Sequence, residues 1–459
     1  MTGGRRSDAP LPGIVREGAR TIKGRSQRSD TVWSDVLLSS TLRATAMQNS
    51  KILGLIGNLR RAAFFLFLFG LAISSDVAAN AQTLVLTGGN VIKSPDAAPL
   101  ADAVVVTSNG VITAIGSRSE VQIPKDAQII DCTGKTVVAG FWNSHVHFTQ
   151  AAWTNADNGP AASLQQHMQE MLTQWGFTTV WDLGSDPGNS LPLRARVNSG
   201  EVAGPNILLA GNMYPKGGHP VYLPAELQLP EVATPDEAAQ LARDYMRMDL
   251  DGIKLFVGAA MGEKPTVNPA IAKAAVDVAR AQGKPVFAHP QNRVGVDVVI
   301  AAGVNVLAHT VPREAGYTQE ELAAFKSQGI ALIPTLSLFA KAPLGAALAE
   351  RLAGSGVNQL KAFSDNGGTV LFGTDVGFTE IYDTTLEYEL MHRALGESQV
   401  LASLTTNPAR YFKAAKKGQV EQGFDADLVV LDGDPMADVR NLAKISYTIR
   451  AGKVIYQKP

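Results

Sequence analysis

A single cysteine, Cys132, serves the whole 459-residue chain, so no intramolecular disulfide can staple it. Nothing beside it in sequence marks a reactive thiol, and it reads as a small buried apolar side chain. An excess of charge of one sign is also missing. There are 41 Lys and Arg against 42 Asp and Glu, for a formal net charge of -1. This excludes the single-sign field of a nucleic-acid binder or of a protein held on an anionic membrane. Long hydrophobic runs are lacking too. The one apolar run, 62–73 (AAFFLFLFGLAI), is shorter than the roughly 20 residues that a spanning helix needs. Internal repeats and low-complexity tracts are absent after residue 82, which excludes a solenoid.

What is present begins with a targeting signature. Arg60 and Arg61 precede the apolar run, and Ala79-Asn80-Ala81 follows as a small-x-small cleavage site ahead of Gln82. A basic segment, a short apolar segment and such a site describe a secretory signal over 47–81. The expectation is an exported protein, periplasmic or secreted, with no stable membrane span after cleavage. Residues 1–46 are polar and rich in Arg and Ser, upstream of Met47. They read as a disordered lead or an over-extended start.

The remainder is long enough for one large domain and a smaller one. Residues 82–139 show short strands and turns, with Asn109-Gly110 as a hairpin signal between alternating apolar residues. The same texture returns over 416–459, with a turn at Ala451-Gly452. Between them, over 140–415, eight apolar runs alternate with helical stretches: FWNSHVHF, TTVWDLG, NILLAGN, GIKLFVG, PVFAHP, NVLAHT, ALIPTL and TVLFGTD. Stretches such as TPDEAAQLARDYMRM and NPAIAKAAVDVARAQG supply the helices. Repeated strand–helix units of this number predict an α/β protein, a (β/α)8 TIM-like barrel. The head and tail are expected to pair into a small β-sandwich.

Polar residues gather at the ends of these runs. His145 and His147 are two apart, so on a strand they face one side. Lys254 lies within GIKLFV, His289 ends VFAH, His309 ends VLAH and Asp375 ends FGTD. In a parallel barrel the C-terminal strand ends share one face, so these six groups are expected to meet there. Each alone has a plainer reading. Asp375 can cap a turn, Lys254 can snorkel, and a lone strand-end histidine is usually a hydrogen-bonded structural group. The chain has only seven histidines, however, and four fall at these ends. Together they predict a metal site. His167 and His392 fall on helices and read as core or surface, and Asp182 as a structural or supporting carboxylate.

These motifs resemble the amidohydrolase superfamily over essentially the whole chain after residue 82. AGFWNSHVHF is similar to the family's first-strand Asp-x-His-x-His motif, with Ala139 where Pro is usual and Asn143 where Asp is usual. VFAHPQN, VLAHT and LFGTD match the histidines of strands five and six and the aspartate of strand eight. The tail KGQVEQGFDADLVVLDGDP is similar to the family's return to the sandwich.

The resemblance implies a binuclear centre of two divalent metal ions, zinc being the expectation, bridged by a CO2-derived carbamate on Lys254. His145, His147, Lys254 and Asp375 would hold the buried ion, and Lys254, His289 and His309 the outer one. It implies a metal-activated hydroxide that cleaves a C–N amide bond in a dipeptide, an N-acyl amino acid or a cyclic amide, with Asp375 as the catalytic proton carrier. A Gly-Gly-His in the loop after strand three resembles the dipeptidase-like branch, so His219 and nearby Tyr222 become candidate substrate contacts. Texture in that loop and in GIKLFVG also resembles a prolidase-like and imidazolonepropionase-like branch.

Three readings stay open beside this one. The same metals can act on an ester, lactone, carbamate or urea. A mononuclear deaminase would leave Lys254 an amine and needs a further acid, for which Glu314 is a poor match. A binding protein on the same fold would need no metal. The expected partner is a small molecule, not a nucleic acid, and a homo-oligomer stays open.

Overall fold

The computed structural model describes residues 83–219, 229–257 and 267–459. The signal-like segment 47–81, the lead 1–46 and Tyr222 lie outside the described residues.

The chain enters through β1 (Leu84–Val91), β2 (Leu100–Ser108), β3 (Val111–Ser117), β4 (Gln128–Asp131) and β5 (Thr136–Ala139). Alternation sends successive side chains to opposite faces. Leu84 and Leu86 join one buried cluster, whereas Val85, Val104 and Val106 form another. Between β2 and β3, Asn109 (φ 51°) and Gly110 (φ 79°) both sit in the left-handed region, as the tight hairpin requires.

Eight further strands follow: β6 (Phe141–Val146), β7 (Phe177–Asp182), β8 (Asn206–Pro215), a short β9 (Glu231–Val232) beside β8, β10 (Gly252–Phe256), β11 (Val286–His289), β12 (Val306–Ala308) and β13 (Ala331–Ile333). Leaving β9 aside, seven of these lie parallel in the order β13-β12-β11-β10-β8-β7-β6 and form a nearly closed barrel. The expected eighth run, TVLFGTD, is not a continuous strand. It spans the gap through isolated bridges, with a few backbone hydrogen bonds on each side. Leu371 N donates to Leu332 O (2.9 Å) on one side, and Ser144 N donates to Phe372 O (2.7 Å) on the other.

Helices connect these strands with the expected chemistry. Pro235–Arg247 starts at Thr234, which forms a reciprocal capping box with Glu237, and Pro269–Ala281 starts at Asn268. Trp142, Trp181 and Phe287 pack with Phe412 into an apolar floor inside the barrel.

The chain then returns to the first sheet as β14 (Leu428–Leu431), β15 (Ile445–Arg450) and β16 (Lys453–Gln457). The order β16-β15-β14-β5-β1-β2-β3, with β4 on β1, makes one mainly antiparallel sheet from the head and the tail. No helix among the described residues is long and apolar enough to cross a membrane.

Candidate metal centre

β6 carries an irregularity that aims its histidines. Four residues of β6, from Asn143 to Val146, run against three of β7, from Val180 to Asp182. One residue is therefore extra, and bulges of this kind re-aim side chains at barrel rims. Asn143 anchors the region. Its Oδ1 accepts from His145 N (3.2 Å) and Thr374 N (3.3 Å), while its Nδ2 donates to Thr374 Oγ1 (2.8 Å). The amide thus ties β6 to the turn that carries Asp375, using a donor that an aspartate lacks.

The structure brings all six strand-end groups together. Asp375 Oδ1 lies 2.6 Å from His147 Nε2 and 3.1 Å from His145 Nε2, and the two Nε2 atoms are 3.2 Å apart. Lys254 Nζ faces His145 Nε2 at 3.4 Å. The His309 ring lies 4.6 Å from that of His145 and 4.7 Å from that of His289, centre to centre. His145 and Lys254 are fully buried, and His147, His309 and Asp375 nearly so. His309 (φ 115°) and Asp375 (φ 61°) have left-handed backbones, a strained geometry typical of functional sites.

Burial governs the electrostatics. It pushes the Lys254 ammonium down to about 7, against the opposing pull of Asp375. It lowers His145 to about 3 and His289 to about 4, with Lys254 adding to both shifts, and it drives His309 well below its usual value. For Asp375, burial works against the charge. The His145 and His147 rings outweigh it and hold the carboxyl well below the usual carboxylate range.

Three donor atoms that share one point, two of them imidazole nitrogens and one a carboxylate oxygen, fit a divalent ion. Burial favours the neutral, ligating form of His145, His289 and His309. Other positions explain how the site is supported. Asp182 is a loop hub, accepting from Ser185 Oγ (2.6 Å), Ser190 Oγ (2.8 Å) and Gly184 N (3.3 Å), and Ser185 Oγ in turn accepts from Phe148 N (2.6 Å). At Gly184 a Cβ would sit 2.2 Å from His147 Nδ1, so only glycine leaves room for that ring.

His219 does not join the cluster directly. Its Nε2 accepts from Leu229 N (2.8 Å), and its ring lies 4.6 Å from Tyr214. Tyr214 stacks on Phe256 (3.9 Å), which in turn faces His289 (5.8 Å). Glu314 binds the Arg293 amide at 3.2 Å and makes no bond to the imidazoles. Gly184, Tyr214, Phe256 and Thr335, whose Oγ1 lies 2.7 Å from His309 Nδ1, carry no signal of their site role in the sequence. Their roles come from the packing.

Comparison with known proteins agrees with this geometry. The family model described as "Amidohydrolase family" matches residues 136–455. Ochratoxinase of Aspergillus niger is 25% identical over 413 residues, covering 78% of this chain and 83% of that protein. A crystal structure of a Xaa-Pro dipeptidase with bound methionine superposes with a TM-score of 0.70 at 23% identity, over 82% of this chain and all (100%) of that one. A prolidase complexed with N-methylphosphonate-L-proline gives 0.70 at 25%, over 82% and 100%. The model's match over most of the chain and the barrel topology concur: this chain belongs to the amidohydrolase family and is a hydrolase acting on carbon–nitrogen bonds.

Proposed function

We propose that the chain hydrolyses an amide bond in a small substrate, a dipeptide, an N-acyl amino acid or a cyclic amide, with two divalent metal ions, zinc being the expectation. The observation that carries this reading is the convergence of His145, His147 and Asp375 on one buried point with the Lys254 amine beside it. His145, His147, Lys254 and Asp375 would hold one ion, and Lys254, His289 and His309 the other. When bound, such ions act as Lewis acids that acidify water and polarise a carbonyl.

The chain's own residues supply the rest. The neutral amine is the form that adds CO2, and burial favours that form at Lys254. A carbamate there would offer anionic oxygens in place of an ammonium. Asp375 turns Oδ1 to both imidazoles, which leaves Oδ2 to accept the proton of the attacking water and hand it to the leaving nitrogen. The apolar floor below excludes bulk water. His219 and Tyr222 are proposed substrate contacts. His219 would act through its ring face, because Nε2 is held by Leu229 N. The relative described as a Xaa-Pro dipeptidase supports the dipeptide end of this range. The signal-like segment 47–81 supports export to the periplasm or the medium.

The test is a hydrolysis screen of metal-loaded protein against dipeptides, N-acyl amino acids, lactones and aryl ureas, with ions per chain counted by elemental analysis. Amide turnover with two ions is expected. Turnover on lactones or ureas alone would move the activity to another bond. Protein that takes up no metal would end the proposal.

A further inference from the structure

A carboxylate outside the proposed ligand set reaches the cluster through a turn beside His309. Glu387 lies on the helix Thr385–His392 and is fully buried. Among the described residues it pairs with no cation. Its two oxygens are used separately: Oε1 accepts from Leu336 N at 2.8 Å, and Oε2 from Ser337 N at 2.6 Å. These amides directly follow Thr335, in the turn that leaves β13.

Thr335 is strained. It is β-branched, yet it holds φ 45° and ψ 52°, a left-handed conformation that persists only where its surroundings over-determine it. In that conformation Thr335 Oγ1 lies 2.7 Å from His309 Nδ1. The partner at one ring nitrogen sets the state of the other. With Nδ1–H donating to Thr335, Nε2 keeps its lone pair, and the ring stands between His145 and His289.

We propose that Glu387 is a positioning residue for His309: by clamping the two amides after Thr335 it holds the hydroxyl that fixes the His309 ring as a ligand. This rests on the reading of His309 as a metal ligand. A plain structural cap would hold the turn without affecting which His309 nitrogen carries the proton.

Nitrogen NMR of 15N-labelled, metal-free protein decides between them, with His309 assigned by comparison with His309→Asn. The wild type is expected to carry its proton on Nδ1. Thr335→Ala and Glu387→Gln should shift the proton towards Nε2, and Thr335→Ser should keep the wild-type pattern. In Glu387→Gln an amide NH2 would face one of the two backbone N–H groups, breaking half of the clamp. Zinc titration is the second readout. The ion proposed for Lys254, His289 and His309 should lose about 10- to 100-fold in affinity in either variant. The double variant should be no weaker than the worse single one, because both act through one ring.

A proton on Nε2 in the wild type overturns the proposal, as do additive losses. If Glu387→Gln does not fold, Glu387→Asp, which keeps the charge and shortens the clamp, is read by the same spectrum. Wild-type protein that takes up no zinc defeats the underlying metal reading. Normal uptake with an unchanged His309 ring in Glu387→Gln defeats only the positioning role.

Discussion

Two lysines taken out of water meet opposite fates in this molecule. Lys417, half-buried beside the antiparallel sheet, lies 2.5 Å from Asp427 and 3.0 Å from Asp425. Burial works against its charge, but the two carboxylates more than offset it and raise its pKa. Asp427 also accepts from Ala451 N at 2.8 Å, so the pair clasps the tail to the sheet. Lys254, buried within β10, has no acid in bonding range among the described residues. It faces an imidazole at 3.4 Å and the Phe256 ring at 5.1 Å, and burial carries it down to about 7. A completed ion pair makes structure. An uncompleted one in a pocket of ligand-type groups leaves an amine available for chemistry.

The largest expected effect is at the carboxylate that Lys254 lacks as a partner. Asp375→Asn should cut turnover by about 10³-fold or more while circular dichroism stays native, because it removes the proton carrier. Near wild-type turnover in that variant would refute the role. The lysines themselves can then be set against each other. Lys254→Ala should lower the metal content measured by elemental analysis, with partial recovery in short carboxylic acids that stand in for the carbamate. Lys417→Ala should leave metal content unchanged and cost about 2 kcal/mol in denaturant unfolding. Equal metal loss in both variants would erase the contrast.

A third experiment follows from linkage. The folded pKa of Lys254, about 7, lies below the 10.5 of a lysine in water. Between these values the unfolded chain binds more protons, so stability rises with pH across that window. Metal-free wild type should therefore gain stability, on the order of a few kcal/mol, between pH 7 and 10.5, and Lys254→Met should lack that gain. Identical pH profiles would show that Lys254 is not desolvated as described. The smallest effect is expected at Gly184. Gly184→Ala should displace the His147 ring and weaken metal binding by about 10-fold with little change in melting temperature. Unchanged affinity would mean that the ring has room to move.

Much of this was legible before folding. The Asn109-Gly110 hairpin, the capped starts at Thr234 and Asn268, and the i, i+2 histidines each follow from neighbours in sequence. The six strand-end groups follow from one topological rule applied to alternating runs. Other features were not legible. TVLFGTD looks like a strand but bridges the barrel through isolated bonds, because it must meet both β6 and β13 while turning Asp375 inward. The sequence marks Asp182 as a structural or supporting carboxylate, but not that Ser185 and Ser190 are its donors. Glu387 sits in an ordinary helical stretch, and its clamp on Leu336 and Ser337 arises only because two elements distant in sequence pack together.

The residue order alone determined which groups exist, where strands and turns begin, and which family the pattern resembles, because those features depend on local periodicity and side-chain chemistry. Tertiary structure alone decided that Asp375 Oδ1 and two imidazole nitrogens share one point and that the Lys254 amine is stripped of water. Distance and desolvation depend on what packs from every side, and no stretch of neighbouring residues contains that information.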